Sequence, residues 1–127
     1  MNLLLDTHIF LWWDAGSAAL NQHARDAIAA PDNTVFVSAA SIWEIAIKRG
    51  LGKLAFDGSA TAAIGANGFR ELPLLPIDGE NAGDLGWQHN DPFDRILIAQ
   101  AIRQGLTLVT ADRRISSFGG VALLWGL

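Results

Sequence analysis

The chain has 127 residues, half of them hydrophobic and 17% charged, with a formal net charge of −4 and no cysteine. This length suits one domain, so residues 1–127 are expected to form a single domain around one core. The lack of cysteine excludes disulfides, thiolate zinc sites and a cysteine nucleophile, and it is compatible with a cytoplasmic protein. The negative charge argues against nucleic-acid binding by bulk electrostatics, so such a role must rest on a local site.

No segment is predicted to be a signal peptide or to cross a membrane. Met1–Trp13 is apolar, but it lacks the basic start of a signal peptide and is interrupted by Asp6. No apolar stretch reaches the roughly 18 residues that a membrane-spanning helix needs.

The first half of the chain is predicted to alternate between short strands and helices. In chain order these are a strand over Asn2–Asp6, a helix over Thr7–Ala15, a helix ending at about Ala30, a strand over Thr34–Val37 and a helix over Ala39–Arg49. Gly16 is the expected stop of the first helix, and Ser17 and Ser38 are the expected caps of the next two.

The second half continues the alternation with one weaker region. Its predicted elements are a helix over Ser59–Asn67, an extended or edge segment over Leu72–Ile77, a short helix over Asp78–Trp87, a helix from Pro92 to Gly105, a strand over Leu106–Thr110, a turn or short helix over Asp112–Phe118 and a strand over Val121–Trp125. The helix after Asp91 has the clearest boundaries, with Asp91 at the N-cap, Pro92 at the first helical position and Gly105 as the stop.

This alternation predicts an α/β fold with a parallel central sheet flanked by helices on both faces. In open sheets of this kind, ligands bind beyond the carboxyl ends of the strands. Asp6 and Asp112 both lie at or just after the end of a predicted strand, so they are the first candidates for a site.

Each acidic candidate also has a simpler interpretation. Asp6 and Asp112 are acceptable helix caps or turn residues, with Thr110 as a turn former. Glu44 shares a helical stripe with Ser41 and Lys48, which fits a solvated face with a Glu44–Lys48 pair, and the Ser41–Glu44 spacing also resembles a capping box.

Asp94 favours a functional interpretation more strongly than the others. It lies at the head of an apolar helix face that continues through Leu97 and Ile98, whereas Gln100 and its polar neighbours are placed on the opposite side. Since Asp91 already fits the cap, Asp94 is not needed there, and a carboxylate on an apolar face needs compensation.

Together, Asp6, Glu44, Asp94 and Asp112 are predicted to form one divalent-metal site. Without a neutralising base, four clustered carboxylates would repel one another, and such oxygen ligands suit Mg²⁺ or Mn²⁺. The three histidines have no ligand-like spacing, although His8 is close to Asp6. Most basic residues near the acids are expected to be solvated, with some available to phosphates, namely Lys48, Arg49, Lys53, Arg95, Arg113 and Arg114.

Four segments of the chain resemble the PIN-domain ribonucleases, and most closely the VapC-type toxins of bacterial toxin–antitoxin pairs. These segments are Leu4-Leu5-Asp6-Thr7-His8, Ser41-Ile42-Trp43-Glu44-Ile45, Asp91-Pro92-Phe93-Asp94-Arg95-Ile96-Leu97-Ile98-Ala99 and Thr110-Ala111-Asp112. They appear in the family's order across nearly the whole chain, and Asp-Pro-Phe-Asp-Arg is the most specific of them.

The resemblance implies a Mg²⁺- or Mn²⁺-dependent endoribonuclease in which metal-activated water cleaves RNA phosphodiester bonds. It places Asp6, Glu44, Asp94 and Asp112 in the site, with Thr7, Thr110 and Asp91 beside it. It also implies a homodimer and a cognate antitoxin that lays apolar residues into a groove of the toxin.

Three alternatives from other classes remain open at this stage. A haloacid-type phosphatase would carry a second Asp two residues after Asp6, where His8 stands. A phosphoacceptor receiver domain would need a Lys after a late strand, but the only lysines are Lys48 and Lys53. A degenerate nuclease fold used only for binding is disfavoured by the four intact acids.

Overall fold

The computed structural model describes residues Met1–Leu127 and shows a five-stranded, all-parallel sheet in the order β3-β2-β1-β4-β5. The strands are β1 (Asn2–Leu5), β2 (Thr34–Ser38), β3 (Arg70–Leu72), β4 (Thr107–Thr110) and β5 (Leu123–Trp125). The helices are α1 (Thr7–Asp14), α2 (Gln22–Ala29), α3 (Ala39–Gly50), α4 (Ala60–Ala66), α5 (Pro76–Asp84), α6 (Pro92–Gln104) and α7 (Arg113–Phe118). The expected α/β fold is therefore confirmed.

Strand β1 lies at the centre of the sheet, where Leu5 pairs with Val37 of β2 and Val109 of β4. Leu3, Leu4 and Leu5 are fully buried because helices cover both faces. Successive strand residues point to opposite faces, so Leu3 and Leu5 join one apolar cluster and Leu4 joins another. The buried apolar residues thus form two clusters separated by the sheet, not the one core expected from chain length.

Two local predictions were wrong. Ser17 does not cap α2, because Asn21 does so by accepting a hydrogen bond from the Ala24 amide. Ser41 and Glu44 do not form a capping box either, because α3 already begins at Ala39 and Ser38 caps it.

The region around Pro76 also differs from its prediction. Only Arg70–Leu72 forms the edge strand β3, and α5 begins at Pro76 and ends at Asp84. Proline is favoured in the first helical turn, and the Asp78 carboxylate accepts a hydrogen bond from the Leu75 amide, which fixes the helix start upstream of the predicted one.

Gln100 was placed on the polar side of α6, but it is fully buried. Its carbonyl oxygen accepts a hydrogen bond of 2.6 Å from the Ser38 hydroxyl, and its amide donates to the Pro73 carbonyl at 3.2 Å. These bonds fasten α6 to the ends of β2 and β3. None of the helices is long and apolar enough to cross a membrane.

Candidate metal centre and active site

Asp6 and Asp112 lie beyond the carboxyl ends of the neighbouring strands β1 and β4. Each also caps the helix that follows it: Asp6 accepts from the Ile9 amide at 2.8 Å, and Asp112 accepts from the Arg114 amide at 2.8 Å. The capping role and the position at the ligand-binding edge therefore coexist at both residues.

The Asp6 carboxylate is buried among neutral hydrogen-bond partners. Besides the Ile9 amide, the Thr110 hydroxyl donates to its other oxygen. The pKa of Asp6 is raised to about 6: burial is the main cause and the charge of Asp94 adds to it, whereas the hydrogen bonds from Thr110 and Ile9 and the nearby His8 lower it. Asp94 is consequently close enough to Asp6 for its charge to affect the pKa of Asp6.

Asp94 lies in the first turn of α6, and its Oδ2 atom is 2.7 Å from Nε2 of His89. Burial raises the pKa of Asp94, the hydrogen bond from His89 lowers it, and the charges of Asp91 and Asp112 raise it. Asp94, in the first turn of α6, is therefore close to the carboxylates of Asp91 at the start of that helix and of Asp112 after β4.

His89 is the residue that sequence reasoning missed. His89, Asp91 and Asp94 each offer a ligand atom within 4.8 Å of the other two, whereas Asp6, Glu44 and Asp112 lie outside this compact group. Asp91 also caps α6 by accepting from the Phe93 amide at 2.9 Å. The available signal was the position of His89, two residues before Asp91 and five before Asp94 at the start of a helix.

Glu44 is buried, and its carboxylate accepts a hydrogen bond from Thr7, the residue that follows Asp6 in the chain. The Thr7 hydroxyl is 2.6 Å from Oε1 of Glu44 and 3.0 Å from the Ser41 hydroxyl. The Lys48 ammonium lies 2.6 Å from Oε2, which confirms the expected i, i+4 pair but not the expected solvated face.

Asp112 is paired with Arg114, whose guanidinium lies 3.1 Å from its Oδ2 atom. Burial would raise the pKa of Asp112, but hydrogen bonds from the Arg114 side chain and amide, together with its charge, lower it. The expectation that the acids lack a neutralising base is thus wrong for Glu44, Asp94 and Asp112, because basic residues of the chain contact them. Asp6 alone among the four has only neutral hydrogen-bond partners.

A cleft of about 360 Å³ opens over this edge of the sheet. It is lined by Asp6, His8, Trp12, Ala111, Asp112 and Arg113. A larger cleft of about 540 Å³ includes Thr34 and Arg70 at the amino ends of β2 and β3, away from the acids. The smaller cleft is therefore the chemically relevant one.

A family model described as the PIN domain matches residues 3–121. The chain belongs to the PIN-domain family. It is 33% identical over 118 residues to ribonuclease VapC22 of Mycobacterium tuberculosis, an overlap of 91% of this chain and 90% of the relative. The expected identification as a PIN-domain ribonuclease of the VapC type is confirmed.

Solved structures show the same fold at low sequence identity. VapBC2 from Rickettsia felis, crystallised with a DNA fragment from its promoter, has a TM-score of 0.69 and 17% identity, and 100% of each chain is covered. VapC20 from Mycobacterium tuberculosis, a toxin that cleaves the sarcin–ricin loop, has a TM-score of 0.57 and 18% identity over 94% of this chain and 96% of that one.

The donor set of this PIN domain fits a divalent cation. Asp6 is 4% exposed and both of its hydrogen-bond partners are neutral, so no basic side chain contacts its buried carboxylate. Asp94 adds a second largely buried carboxylate whose pKa is raised. Carboxylate oxygens are the ligands that Mg²⁺ and Mn²⁺ prefer, whereas an imidazole nitrogen such as that of His89 suits zinc, copper, iron or nickel better.

Proposed function

We propose that this PIN-domain protein is a metal-dependent endoribonuclease and the toxin of a toxin–antitoxin pair. The family supports the ribonuclease class. The observation that carries the site assignment is the position of Asp6 and Asp112 at the carboxyl ends of neighbouring strands, with Asp94 close enough to raise the pKa of Asp6. RNA as the substrate and Mg²⁺ or Mn²⁺ as the ion are parts of this proposal.

In the proposed site, Asp6 and Asp94 are the principal ligands, and Asp112 and Glu44 complete the donor set. When bound, the ion lowers the pKa of water and offsets negative charge on the phosphodiester. Thr110 holds the Asp6 carboxylate through its hydroxyl, and Thr7 holds Glu44 in the same way. These side chains keep the acids oriented without neutralising them.

The basic side chains at the site balance charge and receive the substrate. Lys48 and Arg114 form ion pairs with Glu44 and Asp112. In the proposed site, these two acids release their basic partners in order to bind the ion. Arg113 lines the cleft beside Asp112 and is exposed. It is therefore suited to contact an RNA phosphate, which would offset the net negative charge of the chain locally.

The test is cleavage of RNA by the purified protein with Mn²⁺, Mg²⁺ or EDTA. We expect cleavage with either ion and none in EDTA. Asp6→Asn and Asp94→Asn should each reduce the rate by more than about 100-fold, above the range for residues that only support a ligand. Asp32→Asn, at an exposed turn, is the matched control and should cleave normally.

Two outcomes would contradict this proposal. One is a wild-type rate for either Asn variant at saturating Mn²⁺, which would remove that residue from the site. The other is cleavage that persists in EDTA, which would remove the metal requirement. An antitoxin-like reading frame directly upstream would support the toxin assignment.

The partners proposed for the chain are a second copy and a cognate antitoxin, as in the VapBC complexes whose fold it shares. Trp43, Ile47 and Leu51 follow one face of α3 and its end, and all three are exposed. Exposed apolar patches with aromatic residues are typical of interface cores. We expect a dimer by light scattering and toxicity on expression without the partner. A stable, active monomer that is harmless when overexpressed would remove the toxin assignment and leave the nuclease.

A further inference from the structure

Arg95 follows Asp94 in the chain, but its side chain serves a different segment. Its guanidinium donates five hydrogen bonds, all to backbone carbonyl oxygens in the last turn of α5 or in the connection from α5 to α6. The acceptors and distances are Ala82 (2.8 Å), Gly83 (3.2 Å), Leu85 (3.1 Å), Trp87 (2.7 Å) and His89 (3.0 Å). A guanidinium has five N–H donors, so every donor of Arg95 is used. Arg95 is therefore neither solvated nor available to phosphates, the two roles expected for the basic residues near the acids.

Two of these carbonyls, those of Ala82 and Gly83, lie in the last turn of α5, where helical carbonyls lack intrahelical partners. The other three belong to the connection that leads to α6. A single side chain at the start of α6 thus fixes the end of α5 and the course of the whole connection.

The last carbonyl in this set belongs to His89, whose imidazole contacts Asp94. The Nε2 atom of His89 is 2.7 Å from Oδ2 of Asp94, and both side chains are largely buried. The Trp87 ring packs on the imidazole at a centroid distance of 4.6 Å and on Phe118 of α7 at 5.5 Å. The imidazole is therefore held by its backbone, by an aromatic neighbour and by the carboxylate.

We propose that His89 and Arg95 are positioning residues: Arg95 fixes the connection between α5 and α6 so that His89 orients the Asp94 carboxylate in the site. This inference rests on the proposed role of Asp94 as a metal ligand. Carboxylate ligands are commonly oriented by hydrogen-bonded neighbours, whose loss typically weakens metal binding by 10–100-fold. Without His89, the Asp94 carboxylate is free to rotate about its terminal bond.

The experiment measures Mn²⁺ binding to the protein without RNA by calorimetry, and then kcat and KM for RNA. His89→Ala should weaken Mn²⁺ binding by about 10–100-fold and lower kcat at a fixed Mn²⁺ concentration, with KM for RNA unchanged. His89→Gln should restore most of the binding, because the Gln amide can donate to Asp94 from about the position of Nε2.

Arg95→Met should weaken Mn²⁺ binding as His89→Ala does, and the double variant should bind no worse than either, because both changes act through one contact. The matched control is Arg25→Met. Arg25 also donates to loop carbonyls, those of Leu20 and Ser17, but it lies on α2. The Arg25→Met protein should be less stable than the wild type but should bind Mn²⁺ with the same affinity. Should Arg95→Met fail to fold, the two His89 variants decide the matter alone.

The outcomes separate this inference from the proposed function. Normal Mn²⁺ binding by the wild type and by His89→Ala would overturn the inference and leave the function intact. Equal losses in His89→Gln and His89→Ala would also overturn it, since His89 would then be a ligand. A wild-type protein that binds no Mn²⁺ would overturn the proposed function and this inference together.

Discussion

Asp78 and Asp6 are two buried carboxylates that the chain treats in opposite ways. Asp78 is fully buried and its two oxygens accept hydrogen bonds from the guanidinium of Arg103. Burial would raise the pKa of Asp78, but these bonds, the Leu75 amide and the charge of Arg103 lower it. Asp6 is buried almost as deeply among neutral donors, and its pKa is raised to about 6.

Both residues also accept a backbone hydrogen bond at the start of a helix, so capping does not distinguish them. What distinguishes them is the source of the compensating positive charge. Arg103 supplies the positive charge to Asp78, and Asp78 has a structural role between α5 and α6. No basic side chain contacts Asp6, which is the pattern expected of a carboxylate that receives a cation from solution.

The largest stability effect should come from Asp78→Asn. This change leaves the partly buried Arg103 without its charged partner, and breaking a buried pair costs about 3 kcal/mol at the lower end of its range. Urea unfolding should show this loss, whereas cleavage below the unfolding transition should be normal. Replacing both residues, as in Asp78→Leu with Arg103→Met, should recover part of the stability. A loss below about 1 kcal/mol would mean that the pair behaves as a surface ion pair.

Asp6→Asn should have the opposite effect on the metal-free protein. Since the pKa of Asp6 is about 6 in the folded protein and 3.8 is the ordinary value for the unfolded chain, the folded protein retains a proton between these pH values that the unfolded chain releases. Wild-type stability must therefore fall as pH rises through this window.

A shift of about two pKa units corresponds to roughly 3 kcal/mol. We expect Asp6→Asn to raise the free energy of unfolding by about 2 kcal/mol in EDTA at pH 7. The gain is smaller than the full value because the Asn side chain accepts the Ile9 hydrogen bond less strongly than a carboxylate does. The gain should disappear below about pH 4, where Asp6 is protonated in both states. Thermal melts of both proteins at pH 4 and pH 7 measure this difference. A variant less stable than the wild type at pH 7 would mean that the chain already compensates the charge of Asp6.

The parts of the fold that depend on local signals were predictable from sequence. Asp91, Pro92 and Gly105 mark the ends of α6 because a cap, a first-turn proline and a left-handed glycine act within a few residues. The Glu44–Lys48 pair was predictable for the same reason. Short apolar strands that alternate with helices were sufficient to predict the parallel sheet.

Several of the contacts that were missed join residues far apart in the sequence. Gln100 is polar but buried, because its partners Ser38 and Pro73 come from β2 and the end of β3. Thr7 reaches Glu44 across 37 positions of sequence, and Arg95 binds backbone carbonyls, which carry no side-chain signature. The four acids proposed for the site were chosen by their positions in the sequence, whereas the hydroxyl groups of Thr7 and Thr110 beside them meet their partners only in the folded arrangement.

Thr110→Val tests the neutral partner of Asp6 with a smaller expected effect. Losing the hydroxyl removes a hydrogen bond that lowers the pKa of Asp6, so the pKa should rise further. The carboxylate also loses its orientation, and Mn²⁺ binding should weaken by about 10-fold. Thr110→Ser should retain binding, and Thr107→Val on the same strand is the control. Calorimetry that shows equal affinity for Thr110→Val and wild type would exclude an orienting role for the hydroxyl.

The smallest effect should come from Asp91→Ser, which separates a helix cap from a ligand. Asp91 accepts hydrogen bonds from the amides of Phe93 and Asp94 at the start of α6. Serine caps helices about as well as aspartate, so RNA cleavage and Mn²⁺ affinity should change by no more than about 3-fold, equivalent to roughly 0.6 kcal/mol. Asp94→Ser should lower RNA cleavage and Mn²⁺ affinity by more than about 100-fold, because it removes the carboxylate that His89 contacts.

Asp91 belongs to the compact group with His89 and Asp94, so equal losses of Mn²⁺ binding in the two variants would identify Asp91 as a ligand. Asp91 would then resemble Asp6, capping a helix and binding the ion with the same carboxylate.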